Sequence, residues 1–169
     1  MADNEWYTPK EYVDMAREVM GSIDLDPASN EFANRIVGAT EWRGEGHGGH
    51  ILGSLEGGWH GNVWLNPPYG MWLIKLFAHK MIDEFNSCNV NQSVVLVNSS
   101  TETGWFRLLE DSAHAVCFKT GRIAFYKEEK GAVFRPGSPR YGNAFFYFGD
   151  TAGTERFESV FSKIGKVYR

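Results

Sequence analysis

The tetrapeptide Asn66-Pro67-Pro68-Tyr69, which follows the apolar run Val63-Trp64-Leu65, carries the residue types best suited to chemistry. Its prolines cannot donate backbone hydrogen bonds, so a strand must end there, and the first proline holds Asn66 extended. Such a stiff turn can bind a planar base that carries an exocyclic amine. The amide oxygen and a carbonyl freed by proline accept the amine hydrogens, while the aromatic ring stacks on the base. A strand-ending turn without chemistry is the alternative.

A second group of candidate residues lies in Ile23-Asp24-Leu25-Asp26, which has the pattern of a short strand ended by Pro27. Two acids at a spacing of two point to the same face of a strand. Ligands of α/β enzymes lie beyond the carboxyl ends of parallel strands, where a carboxylate can bind ribose hydroxyls or a cationic amine. No G-x-G-x-x-G follows, so the standard dinucleotide fingerprint is absent. Acids that only cap a turn or a helix are the alternative.

Length and composition indicate one globular domain. The chain has 169 residues, of which 43% are hydrophobic, and this is enough for a sizeable core. No apolar run approaches the roughly 20 residues of a membrane span, and the acidic N-terminus is not typical of a signal peptide. The two cysteines, Cys88 and Cys117, are expected to be buried free thiols of a protein in a reducing cytosol.

The charge distribution is uneven along the chain. The formal net charge is −4, yet the segment 119–140 carries a local excess of four positive charges. A basic segment on an acidic protein can bind phosphates, and a solvated lysine-rich loop is the alternative. Its six basic residues are Lys119, Arg122, Lys127, Lys130, Arg135 and Arg140.

The stretch 43–61 is rich in glycine and contains His47, His50 and His60. A metal site needs three or four ligands at suitable spacing, and neither cysteine is nearby. We therefore predict a mobile surface loop and no metal site.

The first two thirds of the chain alternate between strand and helix patterns, which predicts an α/β protein with a doubly wound sheet. Thr8 and Pro9 are the predicted N-cap and first residue of a helix that ends at Gly21. Ser99 and Glu102 form a capping box that is predicted to open a later helix. The other predicted elements are a helix from Ser29 or Asn30 to Ile36, a strand at 37–42, a helix at 72–82 and a buried strand at 93–97.

The last third contains three strand patterns, at 115–118, 123–126 and 144–148, with no helix-sized gap between them. The second and third are joined by the basic loop 127–143, so an antiparallel hairpin is expected. A final helix at 154–164 and a short edge strand at Val167-Tyr168 complete the pattern.

Four segments in this order resemble the phage-type DNA N6-adenine methyltransferases, the Dam-like enzymes of phages and prophages. They are Trp6-Tyr7-Thr8-Pro9, residues 23–29, residues 66–70 and Gly121-Arg122-Ile123-x-Phe125, and the resemblance covers most of the chain. It implies a class I methyltransferase-like (Rossmann-like) fold, with a mainly parallel sheet and an antiparallel hairpin in the C-terminal part. It also implies a single methyltransferase domain over 1–169, without a separate target-recognition domain, in the cytoplasm of a bacterial host.

The resemblance also implies roles for individual residues and S-adenosylmethionine as the methyl donor. Phe125 would lie against an extruded base, and Glu41 is the nearest choice for a ribose-binding acid. The residues implied to hold the target amine are Asn66, Pro67, Pro68 and Tyr69. Those implied to bind the donor are Tyr7, Thr8, Pro9, Asp24, Asp26, Pro27 and Ala28. Those implied to bind DNA phosphates are Arg122, Lys127, Lys130, Arg135 and Arg140.

The activity expected from these residues is methyl transfer to adenine N6 in DNA, by base flipping and direct in-line attack without a metal or a cysteine nucleophile. Two alternatives stay open from the sequence. One is a methyltransferase that acts on another amine or amide, in RNA or at protein glutamine. The other is a catalytically silent protein that binds nucleic acid.

Overall fold

A mixed β-sheet with helices on both faces forms the protein, whose structure is a computed structural model describing residues 6–44, 51–70, 72–129, 132–134, 137 and 139–169. The helices are α1 Lys10–Met20, α2 Glu31–Val37, α3 Gly53–Glu56, α4 Leu73–Asn86, α5 Gly104–Ser112 and α6 Thr151–Phe161. The strands are β1 Leu25–Asp26, β2 Glu41–Trp42, β3 Gly61–Leu65, β4 Val90–Asn98, β5 Ala115–Lys119, β6 Lys127–Glu129, β7 Ala132–Phe134, β8 Asn143–Phe148 and β9 Gly165–Tyr168.

The main sheet has the strand order β2-β1-β3-β4-β8-β5-β9. Strands β2, β1, β3 and β4 are parallel, whereas β8 is antiparallel to both β4 and β5. The direction of β5 is therefore that of β4, and β9 is antiparallel to β5 at the edge. The predicted α/β class is confirmed, and the carboxyl ends of β1, β3 and β4 lie at one edge of the sheet.

Alternating side chains of the central strands build two apolar layers, as the period of two in a strand requires. Trp64, Val94, Leu96 and Tyr147 pack with α1 and α6 on one face. The residues between them pack with α4 and α5 on the other face, and they include Leu65, Val95, Val97, Phe146 and Phe148. The near-continuous apolar run of β4 is thus covered on both sides, as the sequence predicted.

The strand predicted at 123–126 is wrong, and so is its hairpin with 144–148. Residues 122–125 lie outside any strand, and Tyr126 pairs with Tyr7 in an isolated bridge that belongs to no strand. All six residues of β8 are buried, and β8 lies between β4 and β5. A fully buried strand needs packed side chains on both faces and a neighbouring strand on each edge. A two-stranded hairpin does not provide both. A hairpin does form in the basic loop, where β6 pairs with β7 as a separate small sheet.

Two predicted helix caps are also wrong, because other residues occupy the N-cap positions. Helix α1 begins at Lys10, with Pro9 at the N-cap, and Thr8 does not cap it. The hydroxyl of Thr103, rather than Ser99, accepts from the Phe106 amide and caps α5. The short helix α2 is capped by the Asn30 side chain, which was one of the two predicted choices.

The cysteines differ in exposure. Cys117 is buried as predicted, but Cys88 is exposed in the turn after α4, where its φ of 58° lies in the left-handed region. The expectation of burial is wrong for Cys88 because it lies in the turn after α4, where residues 86–89 are all exposed, and not in the neighbouring apolar stretch. Among the described residues, none of the helices combines the length and apolarity that crossing a bilayer requires.

Candidate active site at the carboxyl ends of the strands

Three segments that are far apart in the sequence meet where β1 and β3 end. Asn66 directly follows β3, and Asp26 is the last residue of β1, which pairs in parallel with β3. The segment before α1 reaches the same place, because the Asn66 side chain forms a hydrogen bond with Thr8. The sequence predicted site residues in each of these segments, and the structure brings the three segments together.

The side-chain amide of Asn66 is held at both of its polar atoms. Its Nδ2 donates to the Thr8 hydroxyl at 3.1 Å, and its Oδ1 accepts from the Tyr69 hydroxyl at 2.9 Å. Asn66 itself is half-buried, whereas Thr8 is buried. An amide oxygen has two lone pairs, so Oδ1 retains capacity for one further donor. The amide therefore has a fixed orientation and one acceptor position available to a ligand amine.

Tyr69 is fixed by its hydroxyl and by its ring. The hydroxyl lies 3.5 Å from the Leu96 carbonyl in addition to its bond with Asn66, and the ring packs against the apolar layer under α4. Burial raises the pKa of Tyr69 above its usual value, so the phenol stays neutral. In this arrangement Tyr69 orients Asn66. The stacking of its ring on a base stays a prediction.

Asp26, the last residue of β1, carries a buried carboxyl group. Burial raises its pKa to about 7, although hydrogen bonds from the Ser29 side chain and the Ala28 amide act in the opposite direction. The Ala28 amide donates to Oδ1 at 3.2 Å, and Pro27 between them is buried. A carboxyl group that titrates near neutrality becomes fully ionised when a cation binds beside it.

Tyr7 connects the segment before α1 with two other parts of the site. Its hydroxyl accepts from Asn30 Nδ2 at 3.3 Å, and its ring lies 4.5 Å, centre to centre, from that of Phe32. Its backbone exchanges two hydrogen bonds with Tyr126, at 2.8 and 2.9 Å. Sequence reasoning identified Asn30 only as a helix cap and gave Phe32 no role at the site, since no local pattern relates either residue to Tyr7.

Gly44 is a further residue of this region that the sequence did not single out. Its φ is 148°, and a Cβ there would lie 1.8 Å from the Ser29 carbonyl oxygen. The close approach lets the Arg43 carbonyl accept from the Ser29 amide at 2.8 Å. Glycine at position 44 therefore holds the chain after β2 against the turn that follows Asp26. Because the stretch 43–61 is rich in glycine, the sequence does not show that position 44 in particular requires one.

Two predicted acids lie outside this group. Asp24 accepts from the Asn62 amide at 2.8 Å and from the Ser22 hydroxyl at 3.0 Å, at the amino ends of β1 and β3. Glu41 binds His60 and Arg43, at 2.9 and 2.7 Å, and the hydrogen bond from His60 contributes most to lowering its pKa. Both carboxylates thus hold neighbouring segments of the protein, and the structure does not bring them to Asn66.

The basic segment 119–140 reaches the same edge of the sheet, because Tyr126 within it pairs with Tyr7. Phe125 is half-buried and packs against the apolar layer of α1. Arg122 is exposed and donates to the Pro139 carbonyl at 2.9 Å, and Lys127 lies 4.6 Å from the centre of the Trp6 ring. Arg140 is exposed. The other two predicted phosphate contacts, Lys130 and Arg135, lie outside the described residues.

The histidine pair considered as a metal site, His47 and His50, also lies outside the described residues. Within the part of the chain that the structure describes, no three histidine, cysteine or acidic side chains are grouped so that they could hold a metal ion.

Fold and site together define an α/β protein with a group of polar side chains, a candidate ligand site, at the carboxyl ends of parallel strands. Residues 2–140 match the family described as DNA N-6-adenine-methyltransferase (Dam). The chain belongs to this family, which confirms the resemblance seen in its four segments.

A curated protein of Escherichia phage T1, a DNA N-6-adenine-methyltransferase, is 27% identical to this chain over 143 residues. The alignment covers 75% of this chain and 55% of the phage protein. The chain thus spans about half the length of this relative.

Proposed function

We propose that this protein transfers a methyl group from S-adenosylmethionine to the N6 amine of adenine in DNA. The observation that carries the proposal is the Asn66 amide, held by Thr8 and Tyr69 with one acceptor position left on Oδ1. Family membership supports DNA adenine as the substrate. The strand order, with β8 reversed between β4 and β5, supports a class I methyltransferase-like fold in a single domain. We place the activity in the cytoplasm of a bacterial host.

The residues around Asp26 fit the methyl donor. The donor carries a cationic α-amine, and a buried carboxyl group with a pKa of about 7 is readily ionised by such a cation. The half-buried Phe32 offers aromatic surface nearby, and its ring packs against that of the buried Tyr7, next to the Thr8 that binds Asn66. When bound, S-adenosylmethionine supplies an electrophilic methyl group on a positively charged sulfur. Asp26, Pro27 and Ala28 would hold its amino acid part.

Asn66 and Pro67 would act on the target amine. Adenine N6 is a weak nucleophile because its lone pair is delocalised into the ring. Hydrogen bonds to Asn66 Oδ1 and to the Pro67 carbonyl favour a more tetrahedral nitrogen and align its lone pair for attack. The nitrogen forms its bond to carbon as the carbon–sulfur bond breaks, and the extra proton on nitrogen passes to water.

DNA would bind across the edge that carries Asn66. Because N6 is paired inside a duplex, the adenine must be flipped out of the helix. Arg122, Lys127 and Arg140 lie in the segment that reaches this edge through Tyr126, and they would neutralise phosphates together with Lys130 and Arg135. Phe125 would lie near the flipped base.

Expression in a methylation-deficient host, followed by sequencing that detects N6-methyladenine, tests this function and reads the target site. We expect N6-methyladenine in DNA, and none with a vector that lacks the gene. Methylation found only in RNA or at protein glutamine would contradict the choice of substrate. Calorimetric titration with S-adenosylmethionine provides a second measurement, because a catalytically silent protein should not bind it.

Replacing Thr8 by valine should lower kcat about tenfold, because valine keeps the shape but leaves Asn66 Nδ2 without its acceptor. Thr8→Ser retains the hydroxyl and should stay within about threefold of the wild type. Steady-state kinetics with duplex DNA gives both values. If Thr8→Val instead weakens donor binding at unchanged kcat, Thr8 is a donor ligand and does not position Asn66.

A further inference from the structure

Large apolar side chains are exposed mainly at the edge of the sheet that carries Asn66. Among the described residues they are Trp6, Trp72, Leu76, Tyr141 and Tyr168. The first four flank this edge. Trp6 precedes Tyr7, Trp72 and Leu76 follow the turn at 66–70, and Tyr141 precedes Gly142, whose carbonyl accepts from the Ser99 amide just after β4. Tyr168 lies elsewhere, on the edge strand β9 opposite Val116.

The N-cap and the first two turns of α4 present one exposed stripe. Trp72, Lys75, Leu76 and His79 are exposed, at the i, i+3, i+4 and i+7 spacing of one helix face. Side chains on a helix lean toward its N-terminus, so this stripe is directed at the turn that carries Asn66. The stripe becomes acidic only at Asp83, one turn after His79. Its part near the site is therefore aromatic, aliphatic and basic.

The opposite side of the site has a similar combination. Tyr141 has 63% of its surface exposed and follows the exposed Arg140, and Lys127 lies over the Trp6 ring. Aromatic rings stack on unpaired or exposed bases whatever the sequence, and neighbouring cations neutralise phosphates. A purely apolar partner surface would not require the interleaved cations. The combination fits a nucleic acid strand that crosses the edge of the sheet.

We propose that Trp72 at the N-cap of α4 and Tyr141 before β8 contact DNA on the two sides of the target base, with Lys75 and Arg140 on the adjacent phosphates. This proposal rests on the proposed function and extends its DNA-binding surface beyond the 122–140 segment to the first half of α4. Leu76 adds apolar surface beside Trp72 and completes the α4 part of the contact.

Fluorescence anisotropy with the full chain and a fluorescein-labelled duplex tests the aromatic contacts. Trp72→Ala and Tyr141→Ala should each weaken binding about tenfold, which is typical of the loss of one stacking ring. Tyr168→Ala is the matched control, because Tyr168 is 49% exposed and Trp72 57%. The control should bind within about twofold of the wild type. Thermal unfolding verifies that each variant is folded, as the exposure of these side chains predicts.

The dependence of DNA binding on salt concentration tests the proposed contact between Lys75 and a phosphate. Lys75→Ala should reduce the slope of log K against log salt by about 0.9, the value for one phosphate contact. Lys166→Ala is the control, since Lys166 lies 5.2 Å from the Tyr168 ring centre on β9 and should leave the slope unchanged.

Three results would overturn the proposal. The first is that Trp72→Ala and Tyr141→Ala bind the duplex as tightly as the wild type while the protein still methylates DNA. In that case only this inference fails, and the proposed function stands. The second is equal weakening by Tyr168→Ala. The third is a loss of self-association by Trp72→Ala in sedimentation, with DNA affinity unchanged, which would make the α4 stripe a contact between copies of this chain. A wild-type protein that neither binds nor methylates the duplex would overturn the proposed function as well.

Discussion

Asn66→Ala should lower the rate of methyl transfer to adenine about 1000-fold while the protein stays folded and still binds the methyl donor. The variant removes the acceptor that would hold the target amine, and the loss of one such positioned hydrogen bond costs about 100-fold to 1000-fold in other enzymes. It also leaves the Thr8 and Tyr69 hydroxyls without the partner that they share. Single-turnover methylation with duplex DNA gives the rate, and calorimetry gives the donor affinity.

Asn62→Ala is the matched control for this experiment. Asn62 is in the same strand, β3, but its side chain donates to the Met20 carbonyl and the Ser22 hydroxyl near the amino end. It should lose some stability and keep its catalytic rate. If Asn66→Ala retains more than about a tenth of the wild-type rate, or if both variants lose activity equally, Asn66 does not hold the target amine.

Asp26→Asn should make the protein more stable above pH 7 and impair donor binding. The pKa of Asp26 rises from 3.8 to about 7 on folding, chiefly because the group is buried. Between these values the folded protein keeps a proton that the unfolded chain has lost, so stability falls as pH rises through this window. A pKa shift of this size corresponds to about 4 kcal/mol in the free energy of unfolding. This stability is fully lost above pH 7. Asparagine has the same shape and stays neutral, so it avoids this loss.

Urea denaturation of both proteins between pH 4 and pH 8 measures the effect. The free energies of unfolding should converge near pH 4 and diverge toward pH 8, with the variant more stable. Donor affinity should show the opposite preference, since it needs the carboxylate. In the wild type it should rise with pH through about 7, and in the variant it should be weak at every pH. Parallel stability curves would show that Asp26 is not held protonated by its burial.

The sequence predicted the secondary-structure elements better than it predicted which strands and side chains contact each other. The apolar run of β4 and the position of Asn66 at the end of β3 follow from local patterns, since strand periodicity and proline chemistry act over a few residues. The placement of β8 between β4 and β5 depends on which strands cover it, and periodicity carries no such information. Thr8 shows the same limit, because a good local cap was outcompeted by an amide 58 residues away.

The candidate site was predicted in part for the same reason. Asn66 and Asp26 were found because a strand that ends in proline marks the carboxyl edge of a sheet. The predicted strand 23–26 grouped Asp24 with Asp26, but the observed strand β1 covers only Leu25–Asp26, and Asp24 lies before it, against Asn62. Trp72 and Tyr141, whose rings are exposed, belong to no motif in the sequence. Their exposure, rather than their residue type, distinguishes them from the buried aromatic residues of the core.

The segment 6–9 has a consequence for the order in which ligands bind. Through Thr8 it contacts Asn66, through the Tyr7 hydroxyl it contacts Asn30, and through the Tyr7 backbone it contacts Tyr126 of the basic segment. A ligand that immobilises this segment from one side leaves less conformational entropy to be lost when the second ligand arrives from the other. We therefore expect donor and DNA to bind cooperatively. By thermodynamic linkage, each should raise the affinity for the other by the same factor, whichever binds first.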